Sequence, residues 1–255
     1  MEIAIRRLRE SIGSSSHIVG FTGAGVSTES GIPDYRSQGG IWDRFQPITF
    51  QEFISVENKR ILYRQRKWEM WPSIASALPG PGHRFFASLD AAGSLDGVIT
   101  QNIDGLHERS GLPSDRIVNL HGSALTTSCL ECEYSMSSSD LYQHHNLADG
   151  VPTCPKCGGL LKPSTISFGQ NLDQDSIARA KSLAEGCDLM IAMGSTLIVH
   201  PAASIPLVAK RNGALLVIVT LSETPLDDEA DIVINRSIGE VVEALDIDVD
   251  SGTIA

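Results

Sequence analysis

The chain has 255 residues, room for one or two domains of about 150 residues each and for a sizeable buried core. Hydrophobic residues make up 42% and charged residues 20%, as in a globular protein of the aqueous phase, and no apolar run approaches the ~20 residues that would span a bilayer. A formal net charge of −11 excludes nonspecific nucleic-acid binding but leaves a cationic peptide possible as a partner, and five cysteines are too few for a disulfide scaffold, so a reducing cytoplasmic setting is expected.

Met1 to Glu10 interleaves arginine and glutamate with Ile3, Ile5 and Leu8, which predicts an amphipathic helix and not a signal peptide. A strand is predicted at His17 to Thr22. It runs into Gly23-Ala24-Gly25, after which Ser27 and Thr28 offer hydroxyls at the start of a helix. Glycines after a strand let backbone approach a phosphate, and the next helix favours negative charge, so this turn predicts a dinucleotide site. Thr28 stands where the dehydrogenase fingerprint has its third glycine, so the turn is of another kind.

Further strands are predicted at Gly97 to Thr100, Ile117 to Leu120, Leu189 to Met193, Leu215 to Val219 and Asp231 to Ile234. They are short and rich in Val, Ile and Leu without alternation, as in strands covered on both faces. Helices are predicted between them at His83 to Ala92, Gln174 to Glu185, Pro201 to Arg211 and Gly239 to Leu245. This order gives an α/β fold with a doubly wound parallel, Rossmann-like sheet built from residues 1–36, 80–121 and 165–255. Two segments break the rhythm. Residues 37–79, with Trp42, Trp68 and Trp71, read as a helical insertion, and residues 122–164 hold paired cysteines. Together they are expected to form a smaller domain, with a cleft near the carboxyl ends of the strands.

Cys129-x-x-Cys132 and Cys154-x-x-Cys157 have the spacing of a zinc ribbon. Four thiolates leave no ligand position open, so the metal is expected to be structural. Cys187 stands alone and reads as a small buried side chain. Gln101, Asn102 and Asp104 crowd one strand end, where amide and carboxylate groups can hold a ribose or an amide. His121-Gly122 follows another strand, where the imidazole can act as a base near neutral pH or be a partly buried structural histidine. Gly194-Ser195-Thr196 is a second small-residue turn, suited to a second phosphate or ribose contact.

In chain order these pieces are Gly-Ala-Gly-Val-Ser, Gly-Ile-Pro-Asp-Tyr-Arg, Thr-Gln-Asn-Ile-Asp-Gly-Leu-His, His-Gly, the two cysteine pairs, Phe168-Gly169, Gly194-Ser195 and Pro201-Ala202-Ala203. The series resembles the sirtuins, NAD-dependent protein-lysine deacylases, from about residue 15 to 240. The resemblance implies that Gly23, Ala24, Gly25 and Ser27 cradle the NAD pyrophosphate. Asp34, Tyr35 and Arg36 would line a loop over the nicotinamide ribose. Gln101, Asn102, Ile103 and Asp104 would hold the ribose and carboxamide, with Asn102 and Asp104 counted as catalytic and His121 as the general base. Gly194, Ser195, Thr196, Thr220, Leu221, Ser222 and Ile238 would line the adenosine half. Thr220 replaces the family's asparagine, which leaves a hydroxyl for the ribose.

On this reading the acyl-lysine oxygen attacks the ribose carbon and nicotinamide leaves. His121 then takes a proton from a ribose hydroxyl, that hydroxyl attacks the resulting imidate, and water completes release of lysine and O-acyl-ADP-ribose. The substrate peptide would add as a strand between Ile166 to Asn171, with Phe168 and Gly169, and the segment around Val199. Gln170 replaces a family acid and removes a charge from that groove. Acetyl is the first expectation for the acyl group. Tyr63-x-x-Arg66 resembles the pair that holds succinyl or malonyl carboxylates, and Arg suits a bidentate carboxylate. The alternatives are an ADP-ribosyltransferase or NAD hydrolase using the same pocket, and a noncatalytic binding module. The expected protein is a monomer acting on acyl-lysine proteins, with NAD, one structural zinc, and neither nucleic-acid nor membrane partners.

Overall fold

The computed structural model describes residues 2–146, 150–248 and 253–254. Its main sheet contains β1 (Ile18–Thr22), β2 (Leu95–Thr100), β3 (Ile117–Asn119), β7 (Leu189–Met193), β8 (Leu215–Val219) and β9 (Ile232–Ile234). All pairings are parallel and the order is β3-β2-β1-β7-β8-β9. The chain therefore winds outward from β1 in one direction and returns to β7 on its other side. This reversal opens a crevice at the carboxyl ends of β1 and β7.

Side chains from successive strand positions enter two separate cores. Ile18, Val98, Ile191 and Val217 join Phe85, Phe86 and Leu89 of α5 (Pro81–Ala91) on one face. Val19, Phe21, Met190 and Ile218 join Ala180 and Ala184 of α8 (Gln174–Gly186) and Ile205 of α9 (Ile205–Arg211) on the other. The first face is completed by α1 (Glu2–Ser14) and by Val241, Val242 and Leu245 of α10 (Ile238–Leu245). The N-terminal helix runs further than predicted and its buried stripe is Ile5, Leu8 and Ile12, whereas Ile3 is 66% exposed. Residues i, i+3 and i+7 share one helix face, so extension to Ser14 replaces Ile3 with Ile12. Burying each of these side chains contributes about 2 kcal/mol.

The two insertions pack on one another. The first folds as α2 (Ile41–Arg44), α3 (Phe50–Ser55) and α4 (Glu57–Ser76). The second forms an antiparallel sheet of β4 (Gly122–Cys129), β5 (Ser135–Ser137) and β6 (Leu161–Thr165), with α7 (Ser138–His144). Trp68 and Trp71 of α4 close on Tyr142 of α7, with ring centroids at 5.1 and 4.8 Å. Ile48, Phe53 and Tyr63 form a small core that also takes Leu160. These tryptophans are thus packing groups that weld helices to ribbon.

Between Asp104 and Ile117 the chain makes the single-turn helix α6 (Leu106–Arg109) before β3. Gly122 is where it leaves the main sheet. Its φ is +73°, and a Cβ there would lie 2.0 Å from the Ser164 carbonyl oxygen. Only glycine fits this left-handed, crowded exit, so the His-Gly dipeptide seen in the sequence has a backbone cause.

Candidate active site

The predicted residues converge on one cleft of about 1130 Å³ at the carboxyl end of the main sheet. Such a volume exceeds the roughly 300–1,000 Å³ of an ordinary small-molecule pocket. Gly23, Ala24, Gly25, Asp34, Tyr35, Arg36, Gln101, Asn102, Ile103 and His121 line it from one half of the sheet. Gly194, Ser195, Thr196, Thr220, Leu221, Ser222 and Ile238 line it from the other half. Tyr63, Arg66, Ile166, Phe168, Gly169 and Val199 complete the wall beside the insertions. Ser27 and Asp104 do not line the cleft. They are 1% and 5% exposed and lie beneath its floor.

The small-residue turns touch each other. Thr22 and Met193 are register partners on neighbouring strands, so the chain leaves β1 and β7 side by side. Gly25 N–H donates to Gly194 O at 2.8 Å. A Cβ on Gly194, whose φ is +64°, would lie 2.4 Å from Val26 N, and one on Gly25 would lie 2.8 Å from Gly194 Cα. The glycines therefore serve turn-to-turn contact, which brings both sets of backbone groups to the mouth of the crevice. Ala24–Ser30 is a 3₁₀ turn ending at a left-handed Gly31 and not an α-helix beginning at Ser27. Ser27 points inward and Thr28 Oγ1 donates back to Gly25 O at 2.9 Å.

Beneath this turn, Ser27 Oγ donates to Asp104 Oδ2 at 2.7 Å and accepts from Asn102 Nδ2 at 3.0 Å. Asn102 Nδ2 also donates to Gly23 O at 3.1 Å. Gly80 N–H donates to His83 Nδ1 at 3.1 Å, so His83 carries its proton on Nε2, 3.4 Å from Ser27 Oγ. Asp104 Oδ1 accepts from Leu106 N–H at 3.0 Å. Burial raises the Asp104 carboxyl above its ordinary value in spite of the hydrogen bonds from Leu106 and Ser27. Sequence reasoning missed His83 and His107 as parts of this assembly. Nothing at sequence level separates a helix histidine facing Ser27 from one facing solvent.

Both histidines are buried, and their rings meet edge-on at 4.8 Å. Burial lowers His83 to about 4, and burial with the neighbouring His83 holds His107 well below 6.5. An unfolded chain binds protons at both sites below about 6.5, whereas the folded chain does not. Stability is therefore expected to fall as pH drops from about 6.5 toward 4, with no such loss above that window. Thermal melts across this range should show the slope, and His83→Gln should make it shallower.

His121 sits at the end of β3, where the chain crosses to the insertion. Its Nδ1 lies 2.9 Å from the Gln101 carbonyl oxygen, which can only accept, so Nδ1 carries the proton and Nε2 holds the free lone pair. Burial lowers its pKa below 6.5, opposed by the Gln101 carbonyl, so the ring is neutral at pH 7. Ile166 N–H donates to His121 O at 2.8 Å and ties the base to the segment after β6. Gln101 Nε2 donates to Ser195 Oγ at 2.8 Å, a further link between the halves.

The Asp34-Tyr35-Arg36 loop closes on itself. Asp34 Oδ1 accepts from Arg36 N–H and Ser37 N–H at 2.9 and 2.8 Å, and Ile41 N–H returns to Asp34 O. Burial alone would raise the Asp34 pKa, but the hydrogen bonds from Ser37 and Arg36 prevail and lower it. Arg36 lies over the Trp42 ring at 4.0 Å, and Trp42 stands between Tyr35 and Phe168 at 5.8 and 5.9 Å. Ile166 to Asn171 is irregular, with Phe168 48% exposed at the cleft. At the opposite end Asn235, which sequence reading passed over, donates to Thr220 O at 3.3 Å and fixes that loop.

The four paired cysteines gather at the tip of the ribbon, with all Sγ atoms within 4.8 Å of one another. Cys129–Cys157 and Cys132–Cys154 Sγ distances are 3.6 Å. Zinc about 2.3 Å from four thiolates sets tetrahedral edges of about 3.8 Å, so the cluster fits. Glu131, Lys156 and Gly159 N–H groups each lie 3.4 Å from a cysteine sulfur, as a thiolate requires. Cys187 is buried in the second core far along the chain, and burial raises its thiol to about 12.

Known proteins agree with this geometry. The Sir2 family model matches residues 23–201. The NAD-dependent protein deacetylase 1 of Bradyrhizobium diazoefficiens is 44% identical over 238 residues, covering 93% of each chain. The NAD-dependent protein deacylase 2 of Archaeoglobus fulgidus is 37% identical, covering 95% of this chain and 94% of its own. A Sir2 structure with a deacetylated p53 peptide and 3′-O-acetyl ADP-ribose superposes with a TM-score of 0.86 at 34% identity, covering 94% of this chain and 96% of that one. A Sir2 complex with a p53 peptide and NAD⁺ gives 0.82 at 36% identity, over 94% and 96%. With the family match spanning more than half its length and relatives this similar end to end, the chain belongs to the Sir2 family.

Proposed function

We propose that the protein removes acyl groups from lysine side chains of peptides and proteins, consuming NAD and one water and releasing nicotinamide, O-acyl-ADP-ribose and free lysine. The observation that carries this reading is His121, whose Nδ1 is spent on the Gln101 carbonyl and whose neutral Nε2 is free in the cleft wall. NAD supplies the electrophilic ribose carbon and the ADP-ribose that accepts the acyl group. His121 takes the proton from a ribose hydroxyl. Asn102 holds the nicotinamide end and Asp104 fixes Ser27 and the turn above it. The glycine turns and Ser195 bind the dinucleotide. The Tyr35–Trp42–Phe168 ladder excludes water over the reacting carbon, which suppresses hydrolysis of NAD. This division of labour favours acyl transfer over ADP-ribosylation of protein or plain NAD hydrolysis. The insertions at 37–79 and 122–164 act as one small domain, held by zinc, and the protein works as a monomer in the cytoplasm.

A specific observation also favours acidic acyl chains. Arg66 and Lys67 line the cleft beside Tyr63, and the buried Lys162 Nζ lies 5.8 Å from the Tyr63 ring. Among the described residues none of these three cations has a carboxylate within ion-pair distance. Arg66 Nη1 donates to Gln46 O, and among the described residues its buried Nε has no partner. Although burial opposes it, the field of Lys67 and Lys162 lowers the Tyr63 hydroxyl pKa, which makes it a stronger donor. A succinyl or malonyl carboxylate would supply the missing charge.

One experiment tests both statements. Matched acetyl-, succinyl- and longer-acyl peptides are incubated with NAD and the products identified by mass spectrometry. O-acyl-ADP-ribose is expected. ADP-ribose on protein, or free ADP-ribose without acyl peptide, would overturn the reading. Arg66→Ala is expected to lower kcat/KM for the succinyl peptide about tenfold or more with acetyl turnover nearly unchanged. An unchanged acyl ranking would remove the carboxylate clamp.

A further inference from the structure

His107 has no place in the chemistry just described, yet it sits in the most constrained part of the floor. It lies on α6, is 1% exposed, and its Nε2 is 3.0 Å from Thr22 Oγ1. Thr22 and Thr100 are register partners at the ends of β1 and β2, and Thr22 Oγ1 donates to Thr100 Oγ1 at 2.9 Å. Thr100 Oγ1 in turn accepts from Asn102 N–H at 3.0 Å. Among the described residues, the buried Nδ1 of His107 has no hydrogen-bond partner.

We propose that His107 is a positioning residue: through the Thr22 and Thr100 hydroxyls it fixes the backbone of Asn102, and so sets how that residue meets NAD. This rests on the functional reading above. The imidazole donates from Nε2 to Thr22, Thr22 donates to Thr100, and Asn102 N–H closes the chain from the other end. The remaining Nδ1 is then a bare acceptor, which costs less to bury unpaired than an N–H would. Leucine would fill much the same space without burying an unpaired nitrogen, so packing alone does not account for a polar ring here. Asn102 is held from two sides: its side chain by Gly23 O and Ser27 Oγ, its backbone by the His107 chain. Losing the second hold leaves the side-chain contacts and the His121 bond to the Gln101 carbonyl intact but releases the N–H end of that peptide group.

The test compares His107→Leu, Thr100→Val and His107→Gln with the wild type. His107→Leu and Thr100→Val are each expected to lower kcat/KM for NAD about tenfold or more. The KM for acetyl-lysine peptide and the melting temperature should stay near wild type. The two changes break one chain, so the double variant should lose no more than the worse single variant. His107→Gln, whose amide N–H can still reach Thr22, should recover most of the loss. Wild-type kcat/KM for NAD in both His107→Leu and Thr100→Val would overturn the proposal. So would a loss accompanied by equal changes in peptide KM and melting temperature that glutamine does not rescue. Calorimetric titration with NAD separates this from failure of the functional reading. Weaker NAD binding in His107→Leu supports positioning even if no acyl transfer is found, whereas unchanged affinity and turnover contradict it.

Discussion

Replacing His121 by alanine is expected to lower NAD-dependent deacylation about 100- to 10,000-fold, the range that a positioned general base supplies. NAD and peptide binding should change only a few-fold, because among the described residues the ring's hydrogen bond is to the Gln101 carbonyl at the edge of the cleft. The wild type should also show a distinct acid limb. Burial lowers the His121 pKa, so the active neutral form persists below 6.5 and is lost as pH falls through that lowered value. Activity therefore declines toward acid and is level across neutral pH. The lowered value is that of the ligand-free site, so the limb belongs to kcat/KM, and His121→Ala should flatten it. A variant within threefold of wild type would remove His121 from the role of base.

Extracting the metal is expected to have an effect of similar size through a different route. The four sulfurs converge from two hairpin tips, and Cys129, Cys154 and Leu161 form the centre of the ribbon's own small core. So small a core cannot hold the tips together alone, whereas a structural zinc contributes about 10–16 kcal/mol of apparent binding free energy. Cys129→Ser, or treatment with a mercurial and a strong chelator, should release one zinc per chain. It should also loosen the 122–164 insertion and with it the wall formed by Tyr63, Thr165 and Ile166. Loss of activity should track loss of zinc. The melting transition of the main sheet should persist, since its two cores do not include the ribbon. Full activity in metal-free protein would show that the cysteines hold the ribbon without an ion.

Much of this site was legible in the sequence because its parts are short and local. Gly-Ala-Gly after an apolar run, Gln-Asn-x-Asp after another, His-Gly and two Cys-x-x-Cys pairs each place their chemistry within a few residues of a strand end. Sheet burial on both faces makes those strands plain apolar runs, so their limits were found to within two residues. Local orientation is the less legible part. Ser27 was expected beside the pyrophosphate, but a 3₁₀ turn rotates it to Asp104 beneath the floor. Ile3, one of the apolar residues of the predicted first helix, is exposed, and the buried stripe is Ile5, Leu8 and Ile12. Neither outcome could follow from residue type, because each depends on which neighbour offers a partner.

The amino-acid order by itself determined the strand–helix alternation, the family and the two cysteine pairs that cluster, because hydrophobic period and cysteine spacing act over a few residues. Only the tertiary structure decided the rest. It placed Gly25 against Gly194, nearly 170 residues away, which brings two backbone turns to one crevice. It aimed His83 at Ser27 and His107 at Thr22, and so made two ordinary helix histidines part of the floor. It also brought Lys162 of β6 to the ring of Tyr63 on α4, beside Lys67 of that helix. The physical reason is common to all three: hydrogen bonds and charge fields depend on distances of a few ångströms, and those are fixed by packing between elements remote in sequence.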